Sequence, residues 1–248
     1  MIPPSELNFD VIVRELLKDM AHAVNGWRSG NPADETALMN RITERLRRDR
    51  KNCDVGVEHP VTMVGEFYAL HRRGESQDDK FGADLAVTIQ IPQIDLLKTV
   101  FFQFKISSHY RVTLLAEQLR QPARFHGVLP RSFVLAVDRE RYGYRVRPTS
   151  DCLMHFEEEQ QLARFEISKW ECLTQWLLEW FSCKHGPPTT PDDPHPVEKM
   201  LASYRTPPCR DIFREAWLEN LPRDMSPARG WLHYVFHRGS PSTSLRKR

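Results

Sequence analysis

The amino-acid sequence predicts an α/β fold, in which a mixed β-sheet carries helices on both faces. Two observations predict it. Amphipathic helical patterns occur in the first 50 residues and again near residue 170, and between them lie several apolar segments with the length of β-strands. The order helix, helix, strands, helix, strand, strand, helix favours a sheet covered on both sides. The 248-residue chain is 40% hydrophobic, which is enough for a substantial core.

Two helices are predicted at the N-terminal end. Residues 8–24 place their apolar side chains on one face, and Asn25-Gly26 ends the pattern. A second helix is expected at about 32–50. Its start is marked by Asn31 as the N-cap residue and by Pro32 at the first helical position.

The predicted sheet follows these helices. Residues 55–70 are extended, and two apolar strands at about 82–91 and 99–107 are joined by a short connection that favours an antiparallel hairpin. Residues 132–137 are almost purely apolar, which is typical of a central strand. Residues 142–146 carry alternating arginines, as expected of an edge strand.

Two further helices are predicted, one on each side of the last strands. The first covers residues 111–126, with apolar side chains directed inward. The second lies within residues 158–183, where Ser168 and Glu171 have the spacing of a capping box. The tryptophans and leucines that follow recur at helical spacing, and we interpret this stripe as core rather than as a platform for bases.

The composition changes sharply after the last predicted helix. Residues 184–196 are rich in proline and are predicted to be a linker. They separate a domain at 1–183 from residues 197–248, which are expected to form a short helical extension and a basic, disordered tail. The fold therefore includes a C-terminal helical extension.

Three polar residues interrupt the two apolar strands of the hairpin. Asp84 lies in the first strand, and Gln103 and Lys105 lie in the second. A polar group without a partner in a core costs a few kcal/mol, so these side chains are expected to bond, to pair or to bind a metal. A cross-strand ion pair between Asp84 and Lys105 is the simpler alternative, but it does not explain the apolar residues around them.

The three residues have the chemistry of a metal-dependent phosphodiesterase. Mg²⁺ prefers oxygen ligands, which the carboxylate of Asp84, the amide oxygen of Gln103 and the backbone carbonyl of Phe104 can supply. Strand periodicity puts Gln103 and Lys105 on one face and Phe104 on the other. Lys105 can then position or deprotonate the attacking water. The cofactor expected is Mg²⁺ or Mn²⁺.

Gly82-Ala83-Asp84 on one strand and Gln103-Phe104-Lys105 on the next resemble the motif of the PD-(D/E)XK nucleases. The resemblance is to the branch with glutamine in place of the second acid, as in Mrr-like restriction enzymes and related bacterial defence nucleases. It implies a restriction-endonuclease-like core at about 32–147, within a nuclease-like domain at 1–183. Two departures stand out: Ala83 replaces the proline before the acid, and the neutral Gln103 gives the site one negative charge fewer.

The resemblance implies two more site residues. The family often has a glutamate on the helix before the sheet that faces the metal, directly or through a water, and Glu35 is the candidate. It shares a helical face with Leu38 and Ile42. The family also often has a glutamine on the helix after the lysine strand, and Gln118 fits this position.

Several residues near the motif can contact nucleic acid. Arg120 and Arg124 follow Gln118 and can lie along a phosphate backbone, and His109 follows Lys105 closely. Each arginine can equally be an ordinary solvated residue, and a histidine in the position of His109 is more often simply a residue at the end of a strand. The expected partner is double-stranded DNA, with a homodimer or a larger defence complex as the assembly, and no membrane. The net charge of +2 neither requires nor excludes a nucleic acid.

Two hypotheses of function follow. The first is a metal-dependent endonuclease that hydrolyses phosphodiester bonds of DNA, in bacterial anti-phage defence or restriction. The alternative is a catalytically silent module of the same fold, which binds nucleic acid or a partner protein in a defence complex. A kinase or another enzyme with a Gly-rich phosphate loop is disfavoured, because the sequence has no such motif.

The cysteines and histidines offer one competing metal site. Cys152 with His155 and Cys183 with His185 have possible zinc-ligand spacings, but ordinary buried thiols and surface histidines are favoured. The five cysteines are scattered, and the sequence lacks a signal-peptide pattern, so a reduced, cytoplasmic setting is expected.

Overall fold

A computed structural model gives the fold of most of the predicted domain and of one C-terminal segment. The structure describes residues 9–28, 37–38, 42, 51–54, 61–69, 82–91, 94–138, 141, 143–157, 160–182, 184–185 and 229–237. None of the helices within these ranges is both long and apolar enough to cross a membrane.

Ten strands carry the architecture. They are β1 (Lys51–Asp54), β2 (Val61–Ala69), β3 (Leu85–Ile91), β4 (Leu96–Ile106), β5 (Arg111–Leu115), β6 (Ser132–Asp138), β7 (Gly143–Pro148), β8 (Leu162–Glu166), β9 (Glu171–Cys172) and β10 (Arg229–His237). Eight of them form one sheet in the order β1-β10-β2-β3-β4-β6-β7-β9, and β5 pairs with β8 in a separate two-stranded sheet. The β1/β10 and β4/β6 pairs are parallel and the others antiparallel, so the large sheet is mixed.

Four α-helices of the described residues lie against this sheet. They are α1 (Phe9–Arg28), α2 (Ala116–Arg120), α3 (Thr149–Leu153) and α4 (Leu173–Phe181). Buried residues of α1 and α4 belong to one hydrophobic cluster, and those of α2 and α3 belong to another. The predicted α/β fold with helices on both faces is therefore confirmed, and it is consistent with the restriction-endonuclease-like class.

The hairpin β3–β4 is the centre of the sheet. Its strands are antiparallel, with Leu85 opposite Phe102 and Ile91 opposite Leu96, as the short connection predicted. On its other side β4 runs parallel to β6, all seven residues of which are buried. The prediction of a central strand at 132–137 is thus confirmed.

Two hydrophobic clusters occupy the two faces of the sheet. Phe102 and Phe104 of β4 contribute to the first, which we call the α1/α4 core because it contains the buried residues of those helices. Val134 and Ala136 of β6 contribute to the second, the α2/α3 core, which also contains Leu119. Because alternate residues of a strand point to opposite faces, β6 supplies both cores at once, with Phe133 and Leu135 in the first.

The helix predicted at 111–126 is wrong over its first part. Residues 111–115 form β5, and only 116–120 are α-helical, followed by a 3-10 turn at Gln121–Arg124. Val112 and Leu114 are buried and alternate with exposed neighbours, which is the two-residue period of a strand. The antiparallel pairing with β8 decides the conformation.

The helix predicted within 158–183 is shorter than expected. Residues 162–166 form β8 with alternating burial, and α4 begins only at Leu173. The predicted capping box is wrong, because Ser168 lies in a 3-10 turn, Glu171 belongs to β9, and the N-cap residue Cys172 makes no side-chain cap bond. The buried stripe of α4 is confirmed as core.

Residues 229–237, which the sequence placed in the C-terminal extension, form a strand inside the sheet. This strand, β10, lies between β1 and β2. Residues 186–228, which contain most of the predicted linker and the part of the predicted extension before β10, lie outside the described residues. The basic tail after residue 237 lies outside them too. Most of the helix predicted at 32–50 also lies outside them, although Leu38 and Ile42 are helical and buried as expected.

A buried lysine joins the sheet to α4. Lys98 of β4 is 2% exposed, and its ammonium donates to the backbone carbonyls of Trp180 and His185, the second at 3.2 Å. It also lies 5.7 Å from the centre of the Trp180 ring. A cation at this place satisfies carbonyls at the C-terminal end of the helix and suits the sign of its dipole.

Replacing this lysine is expected to destabilise the fold. Lys98→Met keeps the length of the side chain but removes its donors, which leaves two carbonyls without their partner. We expect a loss of about 1–3 kcal/mol in the free energy of unfolding, measured by urea denaturation. Lys169→Met, at an exposed lysine, is the control and should change stability by less than about 0.5 kcal/mol. Equal stability of both variants would contradict this role of Lys98.

Candidate functional site

The site begins where the β3–β4 ladder ends. The backbone N–H of Asp84 donates to the carbonyl of Phe102 at 2.8 Å, which continues the ladder by one step beyond Leu85. The N–H of Phe104 then donates to the carboxylate oxygen Oδ2 of Asp84 at 2.7 Å. The side chain of Asp84 therefore takes the place of the next backbone partner and is fixed against β4.

Gln103 and Lys105 lie on one face of β4, as predicted. Their register partners on β6 are Val134 and Ala136, which belong to the α2/α3 core, whereas Phe104 points into the α1/α4 core. Gln103 is 4% exposed, and Lys105 is half-buried. The structure thus brings Asp84, opposite Gln103 in the continued register, to the same stretch of β4 as Lys105.

Gln118 of α2 also reaches this stretch. Its side-chain oxygen accepts a hydrogen bond of 2.8 Å from the amide nitrogen of Gln103. The amide oxygen of Gln103 is buried and has no hydrogen-bond partner among the described residues. A buried acceptor without a partner costs about 1–3 kcal/mol, so this oxygen fits the role of a ligand to a cation.

A glycine allows α2 to approach the site. Gly82 has a φ of +61°, which side-chain-bearing residues rarely adopt. A Cβ atom there would overlap the backbone carbonyl oxygen of Gln118 and would lie 2.8 Å from Cβ of Gln121. The loop before Asp84 and the helix that carries Gln118 are therefore in direct contact only because residue 82 has no side chain.

A cleft opens beside Gln118. It has a volume of about 500 Å³ and is lined by Leu115, Ala116, Glu117, Gln118, Arg120, Gln121, Arg124 and Gln161. The guanidinium of Arg124 donates to the side-chain oxygen of Gln121 at 3.1 Å. The exposed residues Arg120 and Arg124, both predicted to contact nucleic acid, thus line the same cleft as Gln118. Exposed His109 lies instead in the tight turn after β4, with a φ of +52°.

Glu35, the proposed acidic residue of the preceding helix, lies outside the described residues. Of the residues named from the sequence, the structure therefore joins Gln103 to Gln118 by a hydrogen bond and bonds Asp84 to the backbone of β4 on either side of Gln103. Lys105 lies on the same face of β4 as Gln103. The oxygen atoms in this set are ligands that Mg²⁺ accepts.

The competing Cys₂His₂ site is not formed. Cys152 is buried in the α2/α3 core, and burial raises the pKa of its thiol to about 12. His185 lies on the other side of the sheet, where its ring contacts Phe133 and Trp176 of the α1/α4 core. Cys183 lies outside the described residues, and His155 is exposed near Cys152. At Cys152 and His155, an ordinary buried thiol and an ordinary exposed histidine are therefore the better interpretation.

A different cluster can hold a metal ion, and the sequence analysis missed it. Glu171 of β9, Glu179 of α4 and His185 each direct one ligand atom to a common point, with all three atoms within 4.8 Å of one another. Burial lowers the pKa of His185, against the opposing effect of Glu179. Burial also raises the pKa of Glu171, and a hydrogen bond from Gln175 lowers that of Glu179. The spacing of these residues matches no common metal motif, so no sequence pattern points to them.

Comparisons with known proteins add little. No family model and no curated protein matches the sequence significantly. Among solved structures, the chain is similar to "D212, a nuclease from a fusselovirus", with a TM-score of 0.30 and 15% identity over 41% of this chain and 68% of that one. A similarity of this degree does not establish a shared fold or activity.

Filling the space at Gly82 is expected to disturb the site. Gly82→Ala forces a side chain into the left-handed region, which costs roughly 1–2 kcal/mol, and its Cβ meets backbone rather than a flexible side chain. We expect a lower thermal midpoint and a displaced α2.

Gly143→Ala is the matched control for Gly82→Ala, because a Cβ at Gly143 would have nothing within 4 Å. Its thermal midpoint should equal that of the wild type. The contact between α2 and the Asp84 loop would be refuted if the two alanine variants melted at the same temperature.

Proposed function

We propose that the chain is a Mg²⁺- or Mn²⁺-dependent endonuclease that hydrolyses phosphodiester bonds of DNA. The observation that carries the proposal is the buried amide oxygen of Gln103, which has no hydrogen-bond partner among the described residues. It belongs to the residue next to Phe104, whose N–H donates to the carboxylate of Asp84. Two oxygens from different residues, one charged and one neutral, fit a hard divalent cation that keeps part of its water shell. When bound, such an ion would neutralise charge on the phosphate and favour ionisation of a water.

The backbone of β4 supports the same ligand set. In an extended strand the N–H and C=O groups of one residue point to the same side. The N–H of Phe104 points to Asp84, so its carbonyl faces that side too and can complete the set. Asp84 would hold the ion, Gln103 and the Phe104 carbonyl would share it, and Glu35 would assist from the preceding helix.

Lys105 is the residue proposed to act on the water. It follows Gln103 by two positions on the same face of β4, so its ammonium can reach the phosphate that the ion would hold. It would orient or deprotonate the nucleophile and stabilise the charge that develops on phosphorus oxygens. Gln118 would fix the orientation of Gln103 through the hydrogen bond between their amides.

The cleft beside Gln118 is the proposed path of the nucleic acid. Arg120 and Arg124 line it and are exposed, as phosphate-binding arginines must be. His109, in the turn after β4, is proposed to contact DNA from the strand side. Because the two strands of a duplex require two cuts, a homodimer is proposed, with a role in bacterial restriction or anti-phage defence, alone or within a larger complex.

Loss of Lys105 is expected to abolish cleavage. In a plasmid assay with Mg²⁺ or Mn²⁺, Lys105→Ala and Asp84→Asn should each lower the cleavage rate by roughly 100-fold or more, the scale of removing one transition-state contact. Lys169→Ala, at an exposed lysine remote from the motif, is the control and should cleave at the wild-type rate.

Two results would count against catalysis. If Lys105→Ala cleaved as fast as the wild type, the proposed site would not be the active site. If the wild type bound DNA without cutting it, and Asp84→Asn bound equally well, the chain would be the catalytically silent binding module instead.

The arginines of the cleft make a separate prediction about binding. In a catalytically impaired Asp84→Asn background, the double change of Arg120 and Arg124 to alanine should weaken DNA binding at low salt. The slope of log K against log salt should fall by about 2, since each phosphate contact contributes roughly 0.9. Arg164→Ala, an exposed arginine of β8 outside the cleft lining, should leave the slope unchanged. An equal slope in both variants would exclude the cleft as the DNA path.

A further inference from the structure

We propose that Glu171, Glu179 and His185 form a metal site for a zinc-like transition-metal ion. The site lies on the α1/α4 side of the sheet, where the His185 ring stacks on Trp176. The proposed nuclease site, with Gln103 and Lys105, lies on the other side. The two proposals are independent, because they share no residue and no element other than the sheet.

The ligand atoms have the spacing of a tetrahedral site. Nε2 of His185 lies 3.3 Å from Oε2 of Glu179 and 3.6 Å from Oε2 of Glu171. Ligands bonded at 2.0–2.2 Å to a tetrahedral ion are separated by roughly 3.3–3.6 Å, which follows from the geometry of the tetrahedron. The two measured separations therefore match the edges of such a site.

The surroundings of the imidazole nitrogen Nε2 of His185 fit a bound metal ion. Nε2 of His185 is buried and faces two carboxylates, without a well-aligned hydrogen bond to any of the described residues. The nearer carboxylate, that of Glu179, still interacts with the imidazole. A lone pair that faces two carboxylate oxygens needs a cation between them, either a proton or a metal ion.

The surrounding groups hold the ligands in place. The second oxygen of Glu179, Oε1, accepts a hydrogen bond of 2.8 Å from Gln175 and lies 3.5 Å from the ammonium of Lys184. This leaves Oε2 directed at His185. The backbone carbonyl of His185 accepts from Lys98, which anchors the segment after α4. Outer contacts of this kind are typical of metal ligands, whose orientation must be fixed.

The donor set selects the class of metal. Imidazole suits zinc and other late transition metals, whereas Mg²⁺ and Ca²⁺ prefer oxygen alone. One nitrogen and two carboxylate oxygens make three protein ligands, which leaves the fourth tetrahedral position to water. The three side chains are 20–28% exposed, so a water can reach that position. Such an ion would fasten the C-terminal end of α4 to β9.

The test uses the full chain, stripped of metal by a chelator, with Zn²⁺ alone as the ligand. Calorimetry is run in the Asp84→Asn background, so that binding at the nuclease site is removed. We expect one zinc site whose affinity falls at least about 100-fold in His185→Gln and in Glu179→Gln. Gln175→Ala, which removes only an outer contact, should lower it about tenfold.

Two controls separate this site from other zinc ligands. His155→Gln, at an exposed histidine near Cys152, should bind zinc as tightly as its parent. Co²⁺ gives a second readout, because an open-shell ion bound to His185 should quench fluorescence of Trp176, 5.7 Å away ring to ring. That quenching should be lost in Glu179→Gln.

The outcomes decide the proposal. Circular dichroism establishes that each variant is folded, and if His185→Gln does not fold, the Glu179→Gln result stands alone. Absence of zinc binding by the parent chain, or equal zinc affinity in the parent and in Glu179→Gln, would overturn the site. Either result would leave the nuclease proposal untouched, since plasmid cleavage depends on Asp84 and Lys105.

Discussion

The two-residue alternation of β4 is the constraint on which the rest of the structure depends. Phe102 and Phe104 point into the α1/α4 core, and Gln103 and Lys105 point to the opposite face. A slip of one residue would bury the lysine among aromatic rings and remove both phenylalanines from the α1/α4 core, so the hydrophobic effect fixes the register. The same force that builds the core therefore places the polar residues of the candidate site, without any contribution from the polar residues themselves.

The candidate nuclease site lies where the regular backbone pairing between β3 and β4 ends. The last backbone bond between the two chain segments runs from the N–H of Asp84 to the carbonyl of Phe102, and the N–H of Phe104 donates to the carboxylate of Asp84 instead of to a backbone carbonyl. On the helix side, the amides of Gln103 and Gln118 bond to each other, and the amide oxygen of Gln103 has no partner among the described residues. The site thus carries one carboxylate and one neutral donor, which distinguishes it from the Glu-Glu-His cluster on the other face of the sheet.

Elements with a strong local pattern of apolar residues were predicted correctly from the sequence, and elements with a weak pattern were not. The apolar hairpin and the buried strand at 132–137 were predicted correctly, because runs of large apolar residues have few alternatives to a central strand. Residues 111–115 were predicted as helix, although buried Val112 and Leu114 alternate with exposed neighbours in the structure. Five residues, one of them the exposed but apolar Leu115, are too few to separate the two periods without the partner strand β8. Glu171 was interpreted as a capping residue because its spacing from Ser168 fits a known local motif. Its proximity to Glu179 and His185 depends on the fold and follows from no such motif.

The sequence by itself determined the hairpin, its buried face and the polar triplet Asp84, Gln103 and Lys105, because alternation along a strand is a property of the chain alone. Only the tertiary structure decided that Gln118 bonds to Gln103, since that contact requires a glycine at position 82 and a helix laid against it. It also decided the Glu-Glu-His cluster, which β9, α4 and the residues after α4 bring together. The physical reason is the same in both cases: contacts between elements depend on how faces are paired across space, and no periodicity within one element encodes that pairing.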